Sequence, residues 1–204
     1  MRILCLLLVL AAPALARADE LTANRSDYDK VTRIQRGVWE LDLGALGVLT
    51  SDHEGDATVT RLSTDVSAGV HYFIHDNVSV GVEALMDYAD TGDGNSATTF
   101  GGAVDATLHL RLGLGAFFRP GVALGVLFGN RDTTMTDGTI AQASELGFVA
   151  HLRLPIAYFA SRKFLLQAGP QIDFTVGSYT PTGGTSTSFT RIAGGFAVGF
   201  GYTF

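Results

Sequence analysis

Two copies of one short pattern carry the most suggestive chemistry in this chain, His109-Leu110-Arg111-Leu112 and His151-Leu152-Arg153-Leu154. With His71 they supply three imidazoles, a side chain that can ligate a metal or carry a proton near neutral pH. Acids and further cations sit in the same kind of setting, at alternate positions of apolar runs: Glu40, Asp42, Asp65, Glu83, Asp87, Asp105, Glu145 and Asp173, with Arg61, Arg119 and Arg191. One reading joins the three histidines in a metal or proton site. The plainer reading makes them hydrogen-bonded members of a polar network, because the runs that hold them are not neighbours and their spacing matches no ligand motif. No metal site and no cofactor are therefore expected.

Nucleophilic catalysis asks for a serine within hydrogen-bond reach of a histidine that an acid orients. Ser67, Ser79 and Ser144 have no histidine two residues away along the same run, so no catalytic residue is assigned and no enzyme is expected. Gly92-Asp93-Gly94 and Gly183-Gly184 occupy loop tips with no helix behind them, which is not how phosphate is cradled.

The elements that position these groups are strands. From Gly37 onward the chain breaks into eight runs in which large apolar residues fall at every second position, the period of a strand. The last run is the clearest: Phe196, Val198, Phe200, Tyr202 and Phe204 share one face, and Ala197, Gly199, Gly201 and Thr203 share the other. Strand two sets Val66, Ala68, Val70 and Tyr72 against Asp65, Ser67, Gly69 and His71. Polar loops are expected at 50–58, 89–98, 130–141 and 177–187, with tight turns at His75-Asp76-Asn77, Gly113 to Ala116 and Ser161-Arg162-Lys163. Pro120 is expected at a strand end or bulge, and Pro170 falls mid-strand, where a missing N–H is awkward.

At the other end, Met1-Arg2, the apolar run Ile3 to Ala12 and the small alanines of Ala14-Leu15-Ala16 or Ala16-Arg17-Ala18 at a cleavage site read as a secretory signal over 1–18. Residues 19–36 are mixed in charge, and a periplasmic leader is expected there. Cys5, the sole cysteine, lies within the signal, so the mature chain is expected to hold no disulfide. Removing Arg2 and Arg17 leaves 12 basic against 20 acidic residues, a net charge of −8 that disfavours nucleic acid as a partner. No apolar stretch reaches the roughly 18 residues that a spanning helix needs.

An even strand count, alternating long and short connections, and runs near the 9 to 11 residues of a tilted spanning strand fit a closed membrane barrel. Closure is required because lipid offers no partner to an open sheet edge. The expected architecture is an all-β, eight-stranded antiparallel up-and-down transmembrane β-barrel over 37–204. Turning the apolar faces outward sends the charges inside. An eight-stranded interior is just wide enough for its own side chains, so a packed polar plug is expected. Its network would comprise Glu40, Asp42, Asp65, Glu83, Asp105, His109, Arg111, Arg119, His151, Arg153 and Asp173, with Arg111, Arg119 and Arg153 pairing with acids such as Asp42, Glu83 and Asp105. A soluble sandwich or lipocalin-like barrel, with the apolar face inside, is the alternative.

With its terminal Phe204, this pattern resembles the small outer-membrane β-barrel proteins of Gram-negative bacteria, the OmpA-type and OmpW-type barrels. The resemblance implies an outer-membrane location with both termini periplasmic. It also implies contact with outer-membrane lipid and lipopolysaccharide, and delivery by periplasmic chaperones to the barrel assembly machinery, with Phe200, Tyr202 and Phe204 as the assembly signal. A monomer is expected. In contrast to the longer OmpA type, no peptidoglycan-binding domain is expected after the barrel. Two roles stay open: a structural or surface-interaction barrel, or a narrow pore or lateral conduit for small or hydrophobic solutes. A lipid A-modifying barrel enzyme is a weaker third.

Overall fold

The computed structural model describes residues 34–204 apart from 55–56, 93–94, 114 and 135–139, with side chains described over 34–47, 63–89, 96–132 and 141–204. The signal, the leader up to residue 33 and the Arg61 side chain lie outside the described residues. Among the described residues eleven strands follow one another: β1 (Trp39–Glu54), β2 (Ala57–His75), β3 (Val78–Gly92), β4 (Asn95–Leu108), β5 (Leu110–Gly113), β6 (Ala116–Phe118), β7 (Gly121–Thr134), β8 (Ile140–Arg153), β9 (Ile156–Phe159), β10 (Phe164–Pro181) and β11 (Thr187–Thr203).

Three of the eight expected strands are interrupted, which is why eleven are counted. β4 resumes as β5 beyond His109, β6 as β7 beyond Arg119-Pro120, and β8 as β9 beyond Leu154-Pro155, so the wall has eight staves. Each stave pairs antiparallel with its chain neighbour, and β11 pairs with both β10 and β1 to close the ring. A walk around the ring through directly opposed residues runs Glu40, His71, Gly81, Asp105, Ala123, His151, Asp173, Ala193 and returns to β1 at Thr50, a stagger of ten residues. With a rise of about 3.3 Å per residue and strands about 4.7 Å apart, that stagger tilts the staves by about 41°.

The breaks have a common cause. Pro120, Pro155 and Pro170 lie on three adjacent staves at nearly one level, where Gly121 opposes Arg153 and Arg153 opposes Gln171. Pro120 sits in the gap between β6 and β7, as a residue without an N–H should. Pro170 stays within β10. Its carbonyl accepts from Leu154 N at 3.0 Å, so its missing donor faces the stave already broken at Leu154-Pro155.

Side chains sort by the period of two. Outward positions from Trp39 and Tyr72 at one end to Tyr88, Phe100 and Phe128 at the other are apolar and exposed or half-buried. Beyond them the outward residues turn polar, as at Thr98, Asn130, Ser144 and Thr180, which sit side by side in the ladder. At the end where β1 begins and β11 finishes, Trp39 packs on Tyr72 (4.9 Å between rings), Phe164 on Phe200 (5.8 Å), and Lys163 Nζ lies 5.6 Å from the Tyr202 ring. Aromatic rings at both margins of an apolar band mark membrane interfaces. Phe200, Tyr202 and Phe204 all belong to this outer surface.

The strands run further than the apolar band. β1 reaches Glu54 and β2 starts at Ala57, β3 and β4 are separated by two residues, and β7 extends to Thr134, so much of the sequence expected as loop is ladder. Polar residues on both faces read as loop, yet a hairpin that leaves lipid for water keeps its hydrogen bonds while losing its apolar face.

Candidate functional site in the barrel lumen

Inward positions hold the charges, together with two apolar clusters. At the end where β1 begins and β11 finishes, Phe117, Ala157, Phe159 and Leu165 form a floor on which Ile34 packs, with Phe117 and Phe159 edge to face at 5.7 Å. Higher up, Leu85, Ala103, Ala123, Leu127 and Val149 form a second cluster. Charged groups occupy the levels around the second cluster.

The ion pairs cross the lumen. Glu40 on β1 meets Arg119 on the β6–β7 stave, four staves away and diametrically opposite, with Arg119 Nη2 donating to Oε1 at 2.5 Å. Arg119 Nη1 also donates to Gln167 Oε1 (3.0 Å), and Gln167 Nε2 donates to Asp42 Oδ2 (2.5 Å). Arg153 on β8 grips Glu83 on β3 through both carboxylate oxygens, and its Nε donates to Gln171 at 3.1 Å. Near the hairpin end, Arg191 reaches Asp87 at 3.4 Å and Glu145 at 3.3 Å, and Arg131 Nε stands 3.7 Å from Glu145. Asp65 and Asp87 face each other in the ladder between β2 and β3. Together with Ser63, His151, Asp173 and Arg191 they line a cavity of about 60 Å³, room for a few waters.

The pairing differs from the sequence expectation in two respects. Arg119 takes Glu40 as its acid and reaches Asp42 only through Gln167. Arg111, expected in the buried network, is exposed, because β5 ends two residues later, at Gly113.

The three histidines have three different settings. His109 Nε2 and Ser79 Oγ share a hydrogen bond of 2.9 Å, and the imidazole lies 4.6 Å from the Phe73 ring. His151 Nδ1 is 2.6 Å from Asp173 Oδ1, with Gln171 Nε2 donating to the same oxygen at 2.8 Å. His71 Nδ1 is 3.1 Å from Asp105 Oδ2. Among the described residues, the histidine–carboxylate group whose ligand atoms converge is His71, Glu83 and Asp105, all within 4.8 Å of one another. It is not the three histidines.

The Ser79–His109 contact is not visible in the spacing along any one strand, because it joins β3 to the break between β4 and β5. It has the first distance of a nucleophile–base pair and lacks the rest. Ser79 and His109 are 0% and 1% exposed, and among the described residues His109 Nδ1 has no hydrogen-bond partner to orient it.

No protein-family model matches the chain, and no curated protein matches it. Solved structures do. Neisserial surface protein A aligns with a TM-score of 0.53 at 11% identity, over 83% of this chain and all of the other. The outer-membrane protein AlkL, solved in lipid bilayers, aligns with a TM-score of 0.52 at 16% identity, over 83% of this chain and 91% of its own. Identities this low speak for the fold alone. The chain has the all-β, eight-stranded antiparallel barrel fold of the small Gram-negative outer-membrane proteins.

Proposed function

We propose that the mature chain is an integral outer-membrane protein with a plugged lumen, which acts through the hairpins that rise beyond its apolar band. The observation that carries this reading is the Glu40–Arg119 pair, which ties opposite walls together across the bore. An open channel would need such pairs to part and each charge to find water, whereas here the apolar floor of Phe117, Phe159 and Leu165 lies across the end with the termini. In this reading residues 1–18 are a cleaved signal and both termini are periplasmic. The lipid face then carries the assembly signal Phe200, Tyr202 and Phe204, and the hairpins near 55, 93, 137 and 184 meet the outside. Conductance of the purified, refolded protein in planar bilayers tests the plug. A silent bilayer supports it, and reproducible unitary steps overturn it.

A lateral conduit has one observation in its favour. Pro155, Gly169 and Pro170 line a cavity of about 40 Å³ that also touches Asp42, Arg153 and Val198, so the proline seam adjoins a space lined by lumenal polar groups. Entry of a hydrophobic dye into proteoliposomes, slowed by Val198→Trp, would favour this reading; equal entry with and without the protein would remove it.

A further inference from the structure

We propose that His71, Glu83 and Asp105 form a binding site for one divalent transition-metal cation within the lumen, on the stretch of wall made by β2, β3 and β4. This goes beyond the plugged-barrel reading and does not depend on whether the lumen conducts.

The site is built by the ladder. His71 opposes Gly81, and Gly81 opposes Asp105, so imidazole and carboxylate stand on staves two apart with only a glycine between them. A Cβ at Gly81 would lie 2.6 Å from His71 Nδ1 and would also collide with Asp105 Oδ1. Glu83 is two residues along β3 from Gly81, opposite Gly69. A Cβ at Gly69 would lie 2.8 Å from His71 Nε2 and 3.2 Å from Glu83 Cγ. The imidazole thus lies between two carboxylates in a space that two glycines keep clear.

These groups are buried and incompletely satisfied. His71 is 4% exposed, and among the described residues its Nε2 has no hydrogen-bond partner; neither has Oδ1 of Asp105, itself 8% exposed. Buried polar atoms of this kind are uncommon in folded proteins, and an unseen ion is one of the ordinary reasons for them. Charge points the same way. Two carboxylates, Glu83 and Asp105, flank the one imidazole, with the Arg153 guanidinium bound to Glu83, and uncompensated charge is costly in such an interior. A divalent cation at this point sits between the two carboxylates.

One nitrogen and two oxygens suit zinc, manganese, iron(II) or cobalt(II), with water completing the shell. Metal–ligand bonds near 2.1 Å set tetrahedral ligands about 3.4 Å apart, so binding draws the three side chains together by roughly an ångström. Arg153 keeps its grip on Glu83 as an outer partner, the arrangement that commonly orients a ligating carboxylate. It is also the competing cation.

Cobalt(II) titration of the refolded, metal-stripped protein in detergent micelles, followed by visible absorption and calorimetry, tests the site. One equivalent is expected to bind, with d–d bands of a low-coordinate nitrogen–oxygen site. His71→Gln and Asp105→Asn should each weaken binding by about tenfold or more. Arg153→Gln should tighten it, and His75→Gln, which changes the exposed histidine of the β2–β3 turn, should leave it unchanged. Folding of each variant is checked by the shift in gel mobility on heating. Should one lumenal variant fail to fold, the other decides. Absence of stoichiometric uptake by the folded wild type, or uptake that survives a folded lumenal variant, overturns the proposal.

Discussion

Glu40 and Arg119 are 79 residues apart in sequence and meet at 2.5 Å across the full width of the barrel. Neither is exposed to any extent, Glu40 at 0% and Arg119 at 3%. Removing one partner of such a pair leaves a buried charge alone, which typically costs 3–5 kcal/mol. Arg119→Met is therefore expected to lower the unfolding free energy by about 4 kcal/mol, read from urea titrations in detergent or lipid. The double variant Glu40→Leu, Arg119→Met should recover most of that loss, because two apolar side chains leave no charge stranded. Equal losses in the single and double variants would show that the pair contributes packing alone.

Gly81 is where the backbone makes room for His71 and Asp105. Its replacement by alanine places a methyl group 2.6 Å from His71 Nδ1 and 2.8 Å from Val70 O, with the Asp105 carboxylate closer still. Overpacking of this kind commonly costs 1–3 kcal/mol, and Gly81→Ala should show a loss in that range. Gly194→Ala is the control. A Cβ there meets nothing within 4 Å and points away from the lumen, so its unfolding midpoint should match the wild type.

The outward apolar band predicts a depth profile. Leu124, 63% exposed near the middle of the band, should tolerate arginine badly, at a cost of about 2–4 kcal/mol for a charge at the bilayer midplane. Ser144, outward on β8 in the polar rim, should accept arginine at a cost of about 0–1 kcal/mol. Both are read by reversible unfolding in liposomes. Equal costs would mean that the band does not face lipid, the outcome a soluble barrel requires.

The fold was legible because lipid makes an outer surface simple: every second residue from Val78 to Met86 or from Phe196 to Phe204 is apolar or small for one reason. The interior obeys no such single rule. Which acid an arginine meets depends on closure and on the ten-residue stagger, neither of which is written in local spacing, and so Arg119 found Glu40 and not the acids nearer in pattern. The same holds for Ser79 and His109, neighbours only through the β3–β4 pairing. Pro155 hid in plain view. Leu154 and Ile156 lie either side of it, and the alternation read as if the strand were whole, although the ladder breaks there.

Orientation in the envelope can be read with cysteine chemistry, because the one native cysteine, Cys5, falls in the segment expected to be cleaved. Thr185, exposed between β10 and β11, lies at the hairpin end, and Arg162, exposed between β9 and β10, lies at the end that holds the termini. In whole cells a membrane-impermeant maleimide should label Thr185→Cys fully and Arg162→Cys hardly at all. Permeabilising the outer membrane should then expose Arg162→Cys to the reagent. Both sites are far from the lumenal network, so neither substitution should disturb folding, which heat-dependent gel mobility checks. Labelling of Arg162→Cys in intact cells, with Thr185→Cys protected, would reverse the orientation and place the hairpins in the periplasm. The long ladders above the polar rim of Thr98, Asn130 and Ser144 would then serve a periplasmic partner, and the surface role proposed for them would fall while the barrel itself stood.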